Sequence, residues 1–149
     1  MFFDLAEANT KTGLSSPRII IALDGRGSRL YLPGETLAGH FRFESVLGDE
    51  IQAVETSVLW RTEGKGNEDF GVHAFWRQAI AAGDWIDPRR PRRFSTILPK
   101  SPLSYSGSII KIHWSVKVRL FLSRGLEVVE TLSFRLGNVP DVRSLKPVE

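Results

Sequence analysis

The sequence of 149 residues contains no cysteine and only one methionine. Without cysteine the chain has no disulfide framework and no thiolate metal site, which fits a reducing compartment. No stretch approaches the roughly 20 apolar residues of a membrane-spanning helix. The first residues also lack the basic region followed by an apolar region that marks a secretory signal. We therefore expect a cytoplasmic protein that does not span a membrane.

A strong excess of charge of one sign is also missing, because 20 basic residues face 17 acidic ones and the formal net charge is +3. This balance argues against a nucleic-acid partner. The chain has no G-x-S-x-G nucleophile motif, and its three histidines, His40, His73 and His113, have no ligand spacing. We expect no catalytic residue, no cofactor and no bound metal, and we interpret the histidines as surface or hydrogen-bonded residues.

What the sequence does contain is a long alternating stretch at residues 108–122. Every even position from Ile110 to Leu122 is apolar, and most odd positions between them are polar. Successive side chains of a strand point to opposite faces, so this pattern predicts one long strand with a buried face and a solvated face. Trp114 on this strand and Phe134 further along the chain are expected near the middle of the core.

Shorter alternating stretches occupy the rest of the chain, separated by turns rich in glycine and proline. They predict strands at residues 18–24, 36–44, 51–61, 72–80, 94–98 and 126–136, with Val72, Ala74 and Trp76 sharing one face. No convincing helix is present. The expected fold class is all-β, a two-sheet antiparallel β-sandwich of seven to eight strands. We expect a flexible N-terminal arm at 1–16, the sandwich domain at 17–137 and a C-terminal tail at 138–149.

Two segments carry a family resemblance. The first is Tyr31-Leu32-Pro33-Gly34-Glu35-Thr36-Leu37-Ala38-Gly39, an aromatic residue and a Pro-Gly-Glu turn followed by an aliphatic residue and a glycine. The second runs from Phe94 to Pro99, continues through Pro102, Tyr105 and Gly107, and enters the strand around Trp114. Together they resemble the arrestin-like family over most of Ile19 to Leu136, with Trp114 where a tyrosine is more usual.

The resemblance implies an immunoglobulin-like, arrestin-like sandwich that binds proteins as an adaptor and has no catalytic site. Members of that family usually carry two sandwiches in tandem, whereas this chain has room for one. The sequence has no PPxY motif for a ubiquitin ligase. The charged cluster and paired lysines of visual arrestins have no counterpart here, so receptor or phosphate recognition is not implied.

The segment from Pro88 to Arg93 is the first candidate site, because four arginines stand among two prolines: Arg89, Arg90, Arg92 and Arg93. Such a cluster can bind an anion. The alternative is a solvated loop that leads into an edge strand, where Arg and Pro discourage aggregation. A second loop, Glu63 to Asp69, offers oxygen ligands for a cation, but its spacing matches no known calcium loop.

The second candidate site consists of apolar residues on otherwise polar strand faces: Phe75, Phe121, Ile109 and Val129. If their strands are neighbours, these residues form a patch for a partner protein or a second copy of the chain. The alternative is a second core layer beneath a loop or the N-terminal arm.

The leading hypothesis is a non-enzymatic protein-interaction module, an adaptor or scaffold, with a protein partner and a possible homodimer. The alternative hypothesis is a sandwich that binds an anion or a carbohydrate through loops rich in tryptophan and arginine, with Trp76, Trp85, Arg89 and Arg92 as the binding residues.

Overall fold

The structure is a computed structural model that describes residues 16–25, 28–66, 68–81 and 83–137. The expected arm at 1–16, apart from Ser16, and the expected tail at 138–149 lie outside the described residues. Within them, no helix is long and apolar enough to cross a membrane.

Nine strands make up the described part of the chain. They are β1 (Arg18–Leu23), β2 (Leu30–Tyr31), β3 (Thr36–Glu44), β4 (Ile51–Gly64), β5 (Phe70–Ala79), β6 (Arg92–Ile97), β7 (Tyr105–Ser106), β8 (Ile110–Leu122) and β9 (Glu127–Leu136). Short 3₁₀ turns connect β3 to β4 at Gly48–Glu50 and β8 to β9 at Ser123–Gly125. The strand count exceeds the prediction because β2 and β7 have two residues each, too few to produce an alternating pattern.

The strands form two sheets. The smaller has the order β1-β3-β6, and the larger has the order β2-β9-β8-β4-β5 with β7 paired to β8. All pairs are antiparallel except the short pairing of β2 with β9. The predicted all-β, two-sheet sandwich is therefore confirmed.

The core lies between the sheets and is organised around β8, as the alternating pattern predicts. Trp114 is 1% exposed and pairs with Phe134 on β9, with 5.8 Å between the ring centroids. The indole Nε1 donates to the Pro102 carbonyl oxygen at 2.7 Å, so the one polar group of this buried ring is satisfied. The expected core positions of Trp114 and Phe134 are confirmed.

A bulge in the β4–β5 pairing corrects one predicted face. Val58 pairs with Ala74, but the next residue, Leu59, pairs with Val72, which leaves His73 as the extra residue. An extra residue moves the alternation by one position. Val72 is consequently exposed on the outer face instead of sharing the inner face with Ala74 and Trp76.

The two sheets differ in width, and this difference leaves the two sides of the sandwich unequal. On one side, called here the closed side, β1 lies against β9, and Gly137 N donates to the Tyr31 carbonyl oxygen at 2.7 Å. On the other, called here the open side, β5 extends the larger sheet beyond β4, while the smaller sheet ends at β6. Residues 80–91 connect β5 to β6 across this side.

Candidate functional site at the open side of the sandwich

A cleft of about 870 Å³ lies between β5 and β6, and we call it the edge cleft. The inner faces of the two strands form its walls, with Trp76 on β5 and Phe94 on β6. The connection between these strands closes one end with Trp85, Ile86 and Arg90. The cleft lies at the edge of both sheets, because β5 ends the larger sheet and β6 ends the smaller one.

Arg92 is the charged residue that strand alternation directs into this cleft. It is two residues before the buried Phe94 on β6 and pairs in register with Phe41 on β3, so it shares their inner face. The side chain is half-buried, and this burial lowers the pKa of Arg92 from its ordinary value. Arginine nevertheless stays charged in proteins. Within the described residues, no carboxylate forms an ion pair with it.

The structure separates the four arginines of the predicted anion site. Arg90, Arg92 and Arg93 line the edge cleft, and Arg89 does not. Arg93 forms an ion pair with Asp24, and the Arg89 side chain is 88% exposed, with its Nε 3.8 Å from Asp87. The segment is therefore not one cluster of equivalent charges, because alternation along β6 and the turn before it direct its members differently.

Two tryptophans give the cleft an aromatic lining. Trp76 is 39% exposed, and its ring centroid lies 6.4 Å from that of Phe94. Trp85 is 65% exposed on the connection. That connection is anchored, because Phe43 N donates to the Pro88 carbonyl oxygen at 2.8 Å. Trp76, Trp85 and Arg92 of the alternative hypothesis thus meet in one cleft, whereas Arg89 does not line it.

The outer face of the larger sheet carries a second depression beside β5, of about 490 Å³, which we call the outer groove. Its apolar lining comes from β4 and β5: Leu59, Phe70, Val72 and Phe75. Phe70 and Val72 were not among the predicted site residues. The bulge explains Val72. Phe70 lies between the predicted loop, which ends at Asp69, and the strand predicted at 72–80, so neither prediction included it.

The four residues of the predicted apolar patch do not form a single surface, because β4 separates β5 from β8. Phe75 is exposed in the outer groove, and Ile109 is exposed just before β8. Phe121 is half-buried beneath the guanidinium groups of Arg77 and Arg119, whose carbons lie 5.4 and 5.0 Å from its ring centroid. Val129 is exposed on β9 opposite Arg119.

Ion pairs occupy the surface between Phe75 and Phe121. The Glu55 carboxylate accepts a hydrogen bond from Arg77 and lies 3.6 Å from an Arg119 nitrogen. Arg119 also contacts Glu127 on β9 at 2.7 Å. These ion pairs separate the apolar residues of the outer groove, on β4 and β5, from Val129 on β9.

The histidines and the acidic loop have structural contacts. His113 Nε2 lies 2.7 Å from a Glu63 carboxylate oxygen, and this hydrogen bond lowers the pKa of Glu63. Asp69 Oδ1 accepts a hydrogen bond from Phe70 N at 2.9 Å. His73 Nε2 lies 2.8 Å from the Ile97 carbonyl oxygen, and His40 Nδ1 lies 3.6 Å from Asp24. Across the described ranges, no three His, Asp or Glu residues are grouped to hold a metal ion.

The two packed sheets form an arrestin-like β-sandwich. The structure is similar to the sporulation control protein Spo0M of Bacillus subtilis, with a TM-score of 0.60 and 15% sequence identity. The match covers 84% of this chain and 51% of Spo0M, so the chain spans about half the length of that protein. This likeness shows the fold. No protein-family model matches the chain, and no curated protein matches it.

Proposed function

We propose that this protein is a non-enzymatic interaction module, an adaptor or scaffold, that holds an extended segment of a partner protein along β5. The arrestin-like fold supports a regulatory role, and the similar Spo0M is described as a sporulation control protein. The observation that carries the proposal is the edge of β5 that no other described strand pairs with, which has apolar side chains beside it.

The backbone of β5 offers hydrogen-bonding groups for another strand. Ile80 N donates to the Gln52 carbonyl oxygen at 2.9 Å, so alternation directs the backbone groups of Phe75, Arg77 and Ala79 away from β4. Among the described strands, only β4 pairs with β5. A partner segment can therefore add to the larger sheet through main-chain hydrogen bonds.

The side chains of β5 suggest which segment fits. An edge strand of ten residues with exposed apolar side chains can pair with strands of other chains and aggregate unless a partner covers it. Phe70, Val72 and Phe75 face the outer groove, so alternate positions of an added strand would contact them. We therefore infer a partner segment with apolar side chains at every second position.

Photo-crosslinking tests this assignment. A benzoylphenylalanine is placed at position 75 or, as the control, at position 129 on β9; the native residues are 53% and 45% exposed. In native host cells, we expect a partner adduct at position 75 and none at position 129. Mass spectrometry of the adduct identifies the segment. Equal labelling at both positions would contradict docking on β5.

A backbone variant tests the strand-addition mode. Ala79→Pro removes an outward N–H while leaving the hydrogen bonds to β4, and Ala79→Ser keeps that N–H. The position 75 adduct should be lost in the proline variant and retained in the serine variant. Persistence of the adduct in Ala79→Pro would overturn strand addition. An adduct between two copies of the chain would identify a homodimer in place of a separate partner.

A further inference from the structure

We propose that the edge cleft binds a small aromatic anion, with a phosphate or carboxylate group against Arg92 and a planar ring against Trp76 and Trp85. This site differs from the outer groove, because the cleft lies between the sheets and the groove lies on the opposite face of the larger sheet. The inference therefore does not depend on the proposed function.

The charge of the cleft favours an anion. Of its arginines, Arg77 is paired with Glu55 and Arg93 with Asp24. Within the described residues, no carboxylate forms an ion pair with Arg90 or Arg92. A half-buried cation without a counter-ion gains much from an anion, and the planar guanidinium matches a carboxylate or phosphate in shape.

The carboxylate already in the cleft does not neutralise Arg92. Asp87 also lines the cleft, but its Oδ1 accepts a hydrogen bond from Arg89 N at 3.0 Å and lies 3.8 Å from Arg89 Nε. The Asp87 carboxylate therefore serves the turn that leads into β6. An incoming anion would find Arg92 and Arg90 available.

The lining of the cleft favours a ring on that anion. Trp76 and Trp85 expose ring surface there, and Phe94 and Ile86 add apolar area. Aromatic pairs gain energy beyond their buried area, and a cleft of this volume suits a small organic molecule. A neutral sugar can also stack on tryptophan, but it would cover Arg92 without compensating its charge, so the cleft favours an aromatic anion over a carbohydrate.

Binding to the full chain is measured by isothermal titration calorimetry with four probes: phenyl phosphate, inorganic phosphate, benzoate and methyl glucoside. We expect phenyl phosphate to bind roughly tenfold more tightly than inorganic phosphate, because only the former contacts the tryptophans. Benzoate reports whether a carboxylate can replace the phosphate group. Methyl glucoside should give no heat. Binding should weaken as salt is raised.

Matched arginine variants locate the site. Arg92→Gln should weaken binding of phenyl phosphate at least about tenfold, since a charge-assisted contact is lost. Arg89→Gln, in the same segment but outside the cleft, should leave the affinity unchanged. Should Arg92→Gln fail to fold, Trp85→Ala removes an exposed wall instead and should also weaken binding while leaving the melting temperature unchanged.

Three results would overturn the inference. The first is the absence of phenyl phosphate binding to the native chain at millimolar concentration. The second is an equal loss of affinity in Arg89→Gln and Arg92→Gln, which would indicate nonspecific attraction to a basic surface. The third is tighter binding of methyl glucoside than of phenyl phosphate, which would assign the cleft to carbohydrates.

Discussion

The closed and open sides of the sandwich use the same kinds of residue in opposite ways. On the closed side, Tyr31 and Leu136 are fully buried, and backbone hydrogen bonds join their segments. On the open side, Trp76 and Trp85 remain exposed beside a cleft. The difference lies at the sheet edges, because β1 lies against β9 on the closed side, whereas β5 and β6 leave the edge cleft between them on the open side. One side contributes to stability, and the other leaves side chains available for binding.

Arginine shows the same contrast. On the closed side, Arg18 of β1 and Arg42 of β3 both donate to the Glu44 carboxylate. On the open side, Arg92 enters the cleft, and no described carboxylate forms an ion pair with it. A paired arginine on the surface joins neighbouring strands, whereas an unpaired one in a cleft is available to a ligand.

The largest effect should come from replacing a core tryptophan. We expect Trp114→Ala to lower the free energy of unfolding by about 3–5 kcal/mol, because it leaves a cavity between the sheets. Trp85→Ala on the open side should change it by about 0.5 kcal/mol or less, since its ring is 65% exposed. Urea denaturation followed by circular dichroism measures both. Comparable losses in the two variants would contradict the division between the sides.

The next largest loss of stability is expected at two glycines that lie close to neighbouring atoms. A Cβ at Gly39 on β3 would lie 2.4 Å from the Ala22 carbonyl oxygen, whereas the three atoms nearest to one at Gly71 on β5 would belong to the Trp60 ring, the first at 2.5 Å. Backbone cannot move as easily as a half-exposed ring. We therefore expect Gly39→Ala to cost about 1–3 kcal/mol and Gly71→Ala less, measured by thermal unfolding. A larger loss in Gly71→Ala would show that the open side is as rigid as the rest.

The close approach at Gly39 also explains why a sequence pattern revealed the fold. Gly39 ends the turn motif that resembles the arrestin-like family, and the structure shows that this position pairs with Leu23 and Phe94 on both neighbouring strands. The strict alternation of β8 similarly predicts the burial of Trp114, because burial on one face requires it. The parts of the fold that close packing requires could therefore be predicted from the sequence.

The features of the candidate site were harder to predict from the sequence, because they depend on pairing between segments that are distant along the chain. The bulge at His73 is visible only once β4 and β5 are in register. The position of β5 at the edge of the larger sheet depends on the order of the strands, which no local pattern states. The inward direction of Arg92 was not predicted, because the predicted strand began at Phe94, after Pro91. Arg92 lies two residues before the buried Phe94, so alternation along β6 directs its side chain inward.

A smaller effect is expected at the link between β5 and β6. His73 Nε2 lies 3.1 Å from Thr96 Oγ1 and 2.8 Å from the Ile97 carbonyl oxygen, and it joins the two sheets at one end of the edge cleft. We expect His73→Ala to cost about 1 kcal/mol, the usual contribution of a hydrogen bond. Native-state hydrogen exchange should show the loss of protection at β5 and β6 but not at β8. A uniform loss across all strands would contradict a local link.

The smallest effect concerns the carboxylate of Glu44 on the closed side. Its hydrogen bonds from Arg18 and then Arg42 lower the pKa of Glu44 below its ordinary value of 4.5. Because the pKa is lower in the folded chain than in the unfolded one, the stabilisation is present above pH 4.5 and is lost as the pH falls through the folded value. Urea denaturation at a series of pH values should therefore show Glu44→Gln to be less stable than the native chain at pH 7 and equally stable at acidic pH. The loss at pH 7 should be small, because exposed ion pairs contribute little. Arg18→Gln should remove most of the same pH dependence of stability. Parallel stability profiles for Glu44→Gln and the native chain across the pH range would show that these arginines do not form hydrogen bonds with the carboxylate in solution.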